Sequence, residues 1–429
     1  MTDTITLHRR FQESTGACTD TRAIAPGCMF FALRGPRFNA NALAAEALEK
    51  GAYFAVVDEP EFASDQRCIL VPDVLAALQE LGRYHRRQFG FPVLAITGSN
   101  GKTTTKELVH AVLSTDRSTL ATEGNLNNHI GVPLTLLRAG KDHSFAIIEM
   151  GANKPGDIAE LMTIAEPTHG IITNIGKAHL EGFGSLDGVV RTKTELFRWL
   201  AGHGGSVFVN ADDALLMREA GGFEQCITYG TGQACQAQGG VLDAGSRLSL
   251  WFRGMNGKRL EARTQLIGSY NLPNALAAIA VGQAFGVPDG LIAQALEAYS
   301  PGNNRSQWKE TGRNQLIMDA YNANPSSVEA ALRNFASIEA DRPKLAVLGD
   351  MLELGPEGKS EHIRIAALCD SLALTAVFVG PQYADAVGGG AFKDLNALLA
   401  SWAGSAPKDT LILLKGSRGM RLEQLVPLL

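Results

Sequence analysis

Residues 93–107 read VLAITGSNGKTTTKE. A short apolar run ends in a turn that carries Gly98 and Gly101, and Lys102 and Thr103 open a helical pattern. Strand, glycine-rich turn and helix in that order surround a phosphate with successive backbone N–H groups and with the positive end of a helix. Lys102 is placed to reach the outer phosphates and the Thr103 hydroxyl to ligate Mg²⁺. The commoner spacing, GxxxxGK[ST], would put a glycine at position 96, where the chain has Ile96, so this is the tighter TGxxGKT form. Spacing alone leaves open whether ATP is hydrolysed, transfers its phosphoryl group or activates a substrate.

Similar runs recur on both sides. FAIIE (145–149), GIITN (170–174), SVFVN (206–210), QLIMD (315–319), KLAVLGD (344–350), TAVFVG (375–380) and TLILLKG (410–416) alternate with helical patterns. Strands apolar on both faces suit a parallel sheet covered by helices, so the fold class is α/β. Turn-forming RRQFGFP near 86–92 and SPGNN near 300–304 divide the chain into three expected domains, 1–90, 91–301 and 302–429. Residues 231–262 alternate polar and apolar and predict antiparallel strands inside the middle domain.

The formal net charge of −5 argues against a nucleic-acid partner held by bulk positive charge. Six cysteines with no CxxC pair read as free thiols in a reducing cytosol, so a cytoplasmic location is expected. The first residues lack an apolar leader core, and no uncharged apolar run reaches about 18 residues, so neither a signal peptide nor membrane insertion is expected.

Ligands of open α/β sheets bind outside the carboxyl ends of the strands. Glu149 ends one strand and is placed to hold Mg²⁺, although a satisfied strand-end carboxylate is the plainer reading. His179 follows GIITN and Lys193 lies in a helical stretch; by themselves they read as a loop histidine and a surface lysine. Asn324 reads as a helix cap with Pro325 behind it, which leaves the cluster Asp319, Tyr321 and Asn322 unexplained.

Taken together, TGSNGKTTTKE, TEGNLNNHIGVPLTLL (122–137), IIEMGAN (147–153) and TNIGKAHLEGFGS (173–185) resemble the ATP-dependent Mur ligases of bacterial cell-wall synthesis. DAYNANPSS (319–327), KGSRGM (415–420) and TDTRAIAPGCMFFALRG (19–35) resemble the branch that adds D-alanyl-D-alanine to UDP-N-acetylmuramoyl-tripeptide. The resemblance spans about residues 19–423. It implies an N-terminal α/β domain for the UDP-sugar, a central P-loop domain with a mostly parallel sheet for ATP, and a Rossmann-like C-terminal domain for the incoming amine. It also implies activation of the peptide carboxylate by ATP as an acyl phosphate.

The resemblance assigns roles position by position. Gly98, Ser99, Asn100, Gly101, Lys102, Thr103 and Thr104 would cradle ATP. Asn271 and Asn274 would lie near its base, Arg305 near phosphate and Asp319 near ribose. Thr103 and Glu149 would hold a first Mg²⁺. His179 would hold a second, with Lys193 carbamylated into a carboxylate-like ligand. Asn125, Asn127 and Asn128 would face the muramoyl-peptide; Thr21, Arg22, Phe38 and Asn39 would belong to the UDP-sugar site. Tyr321, Asn322, Asn324, Lys415, Ser417 and Arg418 would lie near the reacting acyl group and the dipeptide, with Asn322 and Arg418 counted among the catalytic residues. A monomer is expected.

The chain departs from the family pattern at Thr21, where serine is usual between Asp20 and Arg22, and at Ala40, where a glycine is usual after Phe38 and Asn39. Ala320 replaces a usual serine. Two rivals remain at this point: another ligase of the superfamily that adds one amino acid to a muramoyl-peptide or glutamate to a folate, and a nucleotide-gated binding protein that makes no amide.

Overall fold

The computed structural model describes residues 2–177, 179–302 and 305–429. Asn303 and Asn304, at the second expected boundary, and Ala178 in the GKAHLEG motif lie outside the described residues.

The fold is mixed α/β, built on three main sheets that follow one another along the chain. The first has four parallel strands, Ala17–Cys18, Met29–Phe31, Phe54–Val57 and Cys68–Leu70, adjacent in that order. The second has nine strands. Val93–Thr97 lies between His169–Ile172 and Phe145–Glu149, with parallel pairing on both sides. The chain therefore winds to one side of Val93–Thr97 and then to the other, which opens a crevice at the carboxyl end of that strand. The far edge, Ala237–Asp243, Ser249–Arg253 and Arg259–Arg263, is antiparallel, as the alternating pattern predicts. The third sheet has six strands, parallel except for the edge strand Gln307–Glu310.

The helix Leu272–Ala284 is apolar on every side. Such a helix must be buried, and it packs between the nine-stranded sheet and the helix Lys102–Leu113, with Val281 and Ile279 fully enclosed. Four strands stop short of their apolar runs, TLILLKG ending at Lys415, and for the other three the reason is local. GIITN leaves the sheet at Ile172 because Thr173 and Asn174 turn their side chains onto the backbone of Asn100. KLAVLGD ends at Gly349, and the Asp350 carboxylate accepts the N–H groups of Gln382 and Tyr383 at 3.0 and 2.9 Å. TAVFVG ends at Val379, where Gly380 begins the turn into the helix Pro381–Val387, which carries Gln382 and Tyr383.

Hydrophobic cores cross the expected boundaries. Leu137 packs with the first sheet's core, and Ile267 packs with the core of the third. The helix Val74–Arg86 bridges the first and second sheets, and there His8 and His85 form a buried pair. His8 Nε2 lies 3.0 Å from His85 Nδ1, and His85 Nε2 lies 3.0 Å from the Ala139 carbonyl. Donation by His85 Nε2–H to that carbonyl leaves Nδ1 to accept from His8, an arrangement that requires the His85 ring neutral. Burial pushes both imidazoles below the ordinary 6.5; the neighbouring His85 lowers His8 further, while the hydrogen bond to Ala139 opposes the shift of His85. The unfolded chain thus binds protons that the folded pair refuses. Stability is full above about pH 6.5 and falls as pH drops through the unfolded value toward the lowered folded values. Urea unfolding between pH 7.5 and 5, on the order of the range where His titrates, should show this loss, and His8→Leu should flatten it.

Candidate active site

The phosphate loop sits at the crevice beside Val93–Thr97. Gly98 and Gly101 have φ of 141° and 79°, in the region that favours glycine. A Cβ on Gly101 would stand 2.6 Å from Asn274 Oδ1, and one on Gly98 would collide with the Thr173 hydroxyl. Lys102 is the first residue of its helix, and its Nζ donates to the carbonyls of Gly98 and Ser99 at 2.8 and 3.4 Å. Desolvation lowers its pKa; Glu149 opposes that shift and Arg305 adds to it.

A single cavity of about 1090 Å³ runs from this loop to the carboxyl end of the third sheet. It is lined by Ser99, Asn100, Gly101, Lys102, Thr103 and Thr104, and by Asn125, Asn127, Asn128, Glu149 and His179. Asn271, Asn274, Arg305, Asp319, Tyr321, Asn322, Asn324 and Lys415 complete the set of expected residues on its wall. Glu149 is buried. Its Oε1 accepts from Asn127 Nδ2 at 2.8 Å, and its Oε2 has no partner among the described residues. A buried carboxylate oxygen without a donor is costly, and Glu149 lines the same cavity as Thr103. No group of three or more His, Cys, Asp or Glu side chains gathers among the described residues. That suits Mg²⁺, which takes one or two carboxylates and completes its shell with phosphate and water.

Lys193 does not line the cavity. It is enclosed beneath it, 2% exposed, with Nζ 5.7 Å from the centre of the Phe183 ring, which also borders His179. Desolvation holds its ammonium well below the ordinary value; Lys102 adds repulsion, and Asp157 and Glu195 oppose it. The plain sequence reading of a surface lysine is therefore wrong: the C-terminal residue of the helix Leu186–Lys193 faces inward.

On the opposite wall, Lys415 Nζ pairs with Asp319 Oδ2 at 2.9 Å and donates to the Asn322 carbonyl at 2.9 Å. Arg305 lies over the Tyr321 ring at 3.6 Å. Asn324 caps the helix Pro325–Ser337, as expected, and also donates Nδ2 to Asn100 Oδ1 at 2.7 Å, which fastens the third sheet's helix to the phosphate loop. Some expected residues are not brought together with this cavity. Arg418 is largely exposed, 5.9 Å from the Tyr321 ring. Ser417 is buried, and its hydroxyl accepts from Leu352 N at 2.9 Å, so its hydrogen bonding serves the backbone and not the cavity. Thr21, Arg22, Phe38 and Asn39 lie on the first sheet's unit. There Arg22 pairs with Asp20 at 2.6 Å, and Asn39 donates to Glu59 at 2.9 Å.

Sequence reasoning missed Thr173, Asn174, Tyr270, Ser326 and Glu353, all of which line the cavity. TN at the end of GIITN was a readable signal, because polar residues at a strand's carboxyl end face the crevice. Glu353 had none beyond its place after a strand.

Residues 96–282 match the Mur ligase middle domain, and residues 304–418 match the Mur ligase, glutamate ligase domain. The UDP-N-acetylmuramoyl-tripeptide–D-alanyl-D-alanine ligase of Bacillus subtilis is 34% identical, over 96% of this chain and 92% of its own length. This chain belongs to the Mur ligase family. Solved Mur ligases superpose along the whole molecule. MurF from Acinetobacter baumannii gives a TM-score of 0.86 at 32% identity, covering 98% of this chain and 97% of that one. The MurF ligase from Thermotoga maritima, in complex with ADP, gives 0.84 at 25% identity, covering 100% and 98%. The phosphate loop of this Mur ligase is thereby open to a direct test of its backbone. Gly101→Ala should cost about 1–3 kcal/mol, because a non-glycine residue is forced into the left-handed region against Asn274. Urea unfolding reads that loss.

Proposed function

We propose that this Mur ligase joins D-alanyl-D-alanine to UDP-N-acetylmuramoyl-tripeptide at the expense of ATP, in peptidoglycan synthesis. The carrying observation is the continuous cavity: at about 1090 Å³ it lies at the upper end of single-ligand sites and connects a phosphate loop to a second set of polar groups. The whole-chain match to D-alanyl-D-alanine-adding ligases selects the reaction over its single-amino-acid and folate rivals.

A peptide carboxylate is a poor electrophile. One of its oxygens attacks the γ-phosphorus of ATP, the bond to the ADP oxygen breaks, and an acyl phosphate forms. The dipeptide's amine then attacks the acyl carbon, the carbon–oxygen bond to phosphate breaks, and the nitrogen gives up a proton. Both steps press anions together, so catalysis rests on positioning and charge neutralisation. Lys102 and the N–H groups of 98–104 neutralise the β- and γ-phosphates, and Arg305 meets outer phosphate. Asn271 and Asn274 flank the nucleotide, and Asp319 takes ribose. Thr103 and Glu149 fit a first Mg²⁺, supported by the unpartnered Glu149 oxygen. His179 and a carbamylated Lys193 fit a second. When bound, these ions supply cationic charge to the phosphates. The depressed ammonium of Lys193 supports the carbamate, because only the neutral amine captures carbon dioxide. Asn125, Asn127 and Asn128 face the muramoyl-peptide, and Thr21, Arg22, Phe38 and Asn39 the UDP-sugar. Tyr321, Asn322, Asn324, Lys415 and Arg418 border the acyl group and dipeptide, while Ser417 shapes the loop behind them.

We assign the three domains to 1–90, 91–301 and 302–429. A monomer is sufficient, since one chain supplies every wall of the cavity. A need for ATP and a nucleotide-sugar places the enzyme in the cytoplasm; among the described residues no helix is long and apolar enough to cross a membrane.

Mass spectrometry of a reaction with the UDP-linked tripeptide, ATP, Mg²⁺ and D-Ala-D-Ala should show the pentapeptide product, and phosphate release that requires the dipeptide. Release with a single amino acid instead would overturn this reading. Lys102→Ala should lose turnover while its circular dichroism stays native. Lys193→Ala should also lose turnover, and short-chain carboxylates should partly restore it; full activity in that variant would contradict the carbamate.

A further inference from the structure

The geometry points to Glu353, which belongs to the third sheet's unit, as the positioning residue of His179; this rests on the reading that His179 holds a divalent cation. The Nδ1 atom of His179 is paired directly with Glu353 Oε2. A ring that donates Nδ1–H to a carboxylate keeps its lone pair on Nε2, and a carboxylate behind a metal-binding histidine fixes the tautomer and the ring plane. His179 also lines the cavity, so the fixed ring borders the space where the cation would sit.

Both residues are held in an unusual backbone state. The φ of His179 is 51° and that of Glu353 is 66°, left-handed values for non-glycine residues. Such conformations persist where the surroundings over-determine them. Here the surroundings are built from both units. Glu181 N–H donates to the Glu353 carbonyl at 3.3 Å, and the N–H groups of Gly182 and Phe183 donate to the His179 carbonyl at 3.0 and 3.1 Å. On the other side, Met351 N–H donates to His362 Nε2 at 3.0 Å and Leu352 N–H to Ser417 Oγ at 2.9 Å. The loop that carries Glu353 is therefore anchored by its own backbone. Its side chain, more than half exposed, contributes nothing to that anchoring and is free to serve His179. Alongside, Lys177 Nζ pairs with Glu357 at 3.0 Å and with Glu361 at 2.8 Å, a second clasp between the same two segments. Because His179 and Glu353 come from different units, the ring is set only when the two are docked. The second cation site is then complete only in the docked enzyme.

The test measures Mn²⁺ binding by electron paramagnetic resonance on the full-length enzyme loaded with a non-hydrolysable ATP analogue. The wild type should bind two Mn²⁺ ions. In Glu353→Ala the weaker ion should lose about 10–100-fold in affinity, the usual effect of deleting a group behind a metal ligand, while the tighter ion and the analogue bind as before. Glu353→Asp should recover part of the loss. Lys177→Ala, which loosens the neighbouring clasp and leaves Glu353 in place, should weaken the second ion less than Glu353→Ala does; an equal loss there would assign the effect to docking alone and overturn the inference. Two ions bound equally well by Glu353→Ala and wild type would also overturn it. A wild type that binds only one Mn²⁺ would overturn the reading of His179 itself. If Glu353→Ala does not fold, judged by its thermal transition, Glu353→Gln takes its place. Because Gln keeps an acceptor oxygen, Glu353→Met is measured beside it, which keeps the length and removes the acceptor; unchanged affinity for the weaker ion in Glu353→Met would overturn the inference.

Discussion

Two anions have to be forced together. A carboxylate must approach a triphosphate, and at a few ångströms their repulsion in a water-poor cavity would exceed any binding energy unless cations and N–H dipoles cancel it. The molecule is organised around that constraint. The phosphate loop lies where the nine-stranded sheet reverses its winding, Lys102 bends back over the loop's carbonyls, and Glu149 presents an oxygen that has no donor among the described residues. Lys193 is buried within reach of the Lys102 charge, a position that disfavours its ammonium form.

The third sheet supplies the other half of the site, and its attachment is as specific as the loop's own geometry. Asn324 caps its helix and holds Asn100, Glu353 holds His179, and Lys177 reaches two glutamates. Around the apolar seat of Ile267 in the third sheet's core, these links are polar. They give a docked arrangement that ordered side chains set and that a small free-energy change can release, as suits a ligase that must admit three substrates and release three products.

Much of this was legible in the chain. The strand–turn–helix order around Gly98 to Thr103, the apolar strands and the antiparallel edge all rest on local pattern, and local pattern survives folding. Glu149 was readable as a strand-end carboxylate; its unpartnered oxygen was not, because that depends on which donors pack nearby. The burial of Lys193 escaped the residue-level reading because the helix Leu186–Lys193 is short, and which of its faces turns inward depends on packing such as that against Phe183. The pair His179 and Glu353 was invisible for the same reason, being a contact between units. Ser417 was placed on the dipeptide by resemblance, whereas its hydroxyl is spent on Leu352. Motif membership does not say whether a residue touches substrate or shapes the loop that does.

The central claim is that ATP converts the acceptor's carboxylate into an acyl phosphate before the dipeptide attacks. The direct measurement uses acceptor peptide whose terminal carboxylate carries heavy oxygen at both positions, and follows the label by mass spectrometry of the released phosphate. The account predicts one labelled oxygen in the orthophosphate for each amide formed. Unlabelled orthophosphate, with one labelled carboxylate oxygen released into water, would contradict it.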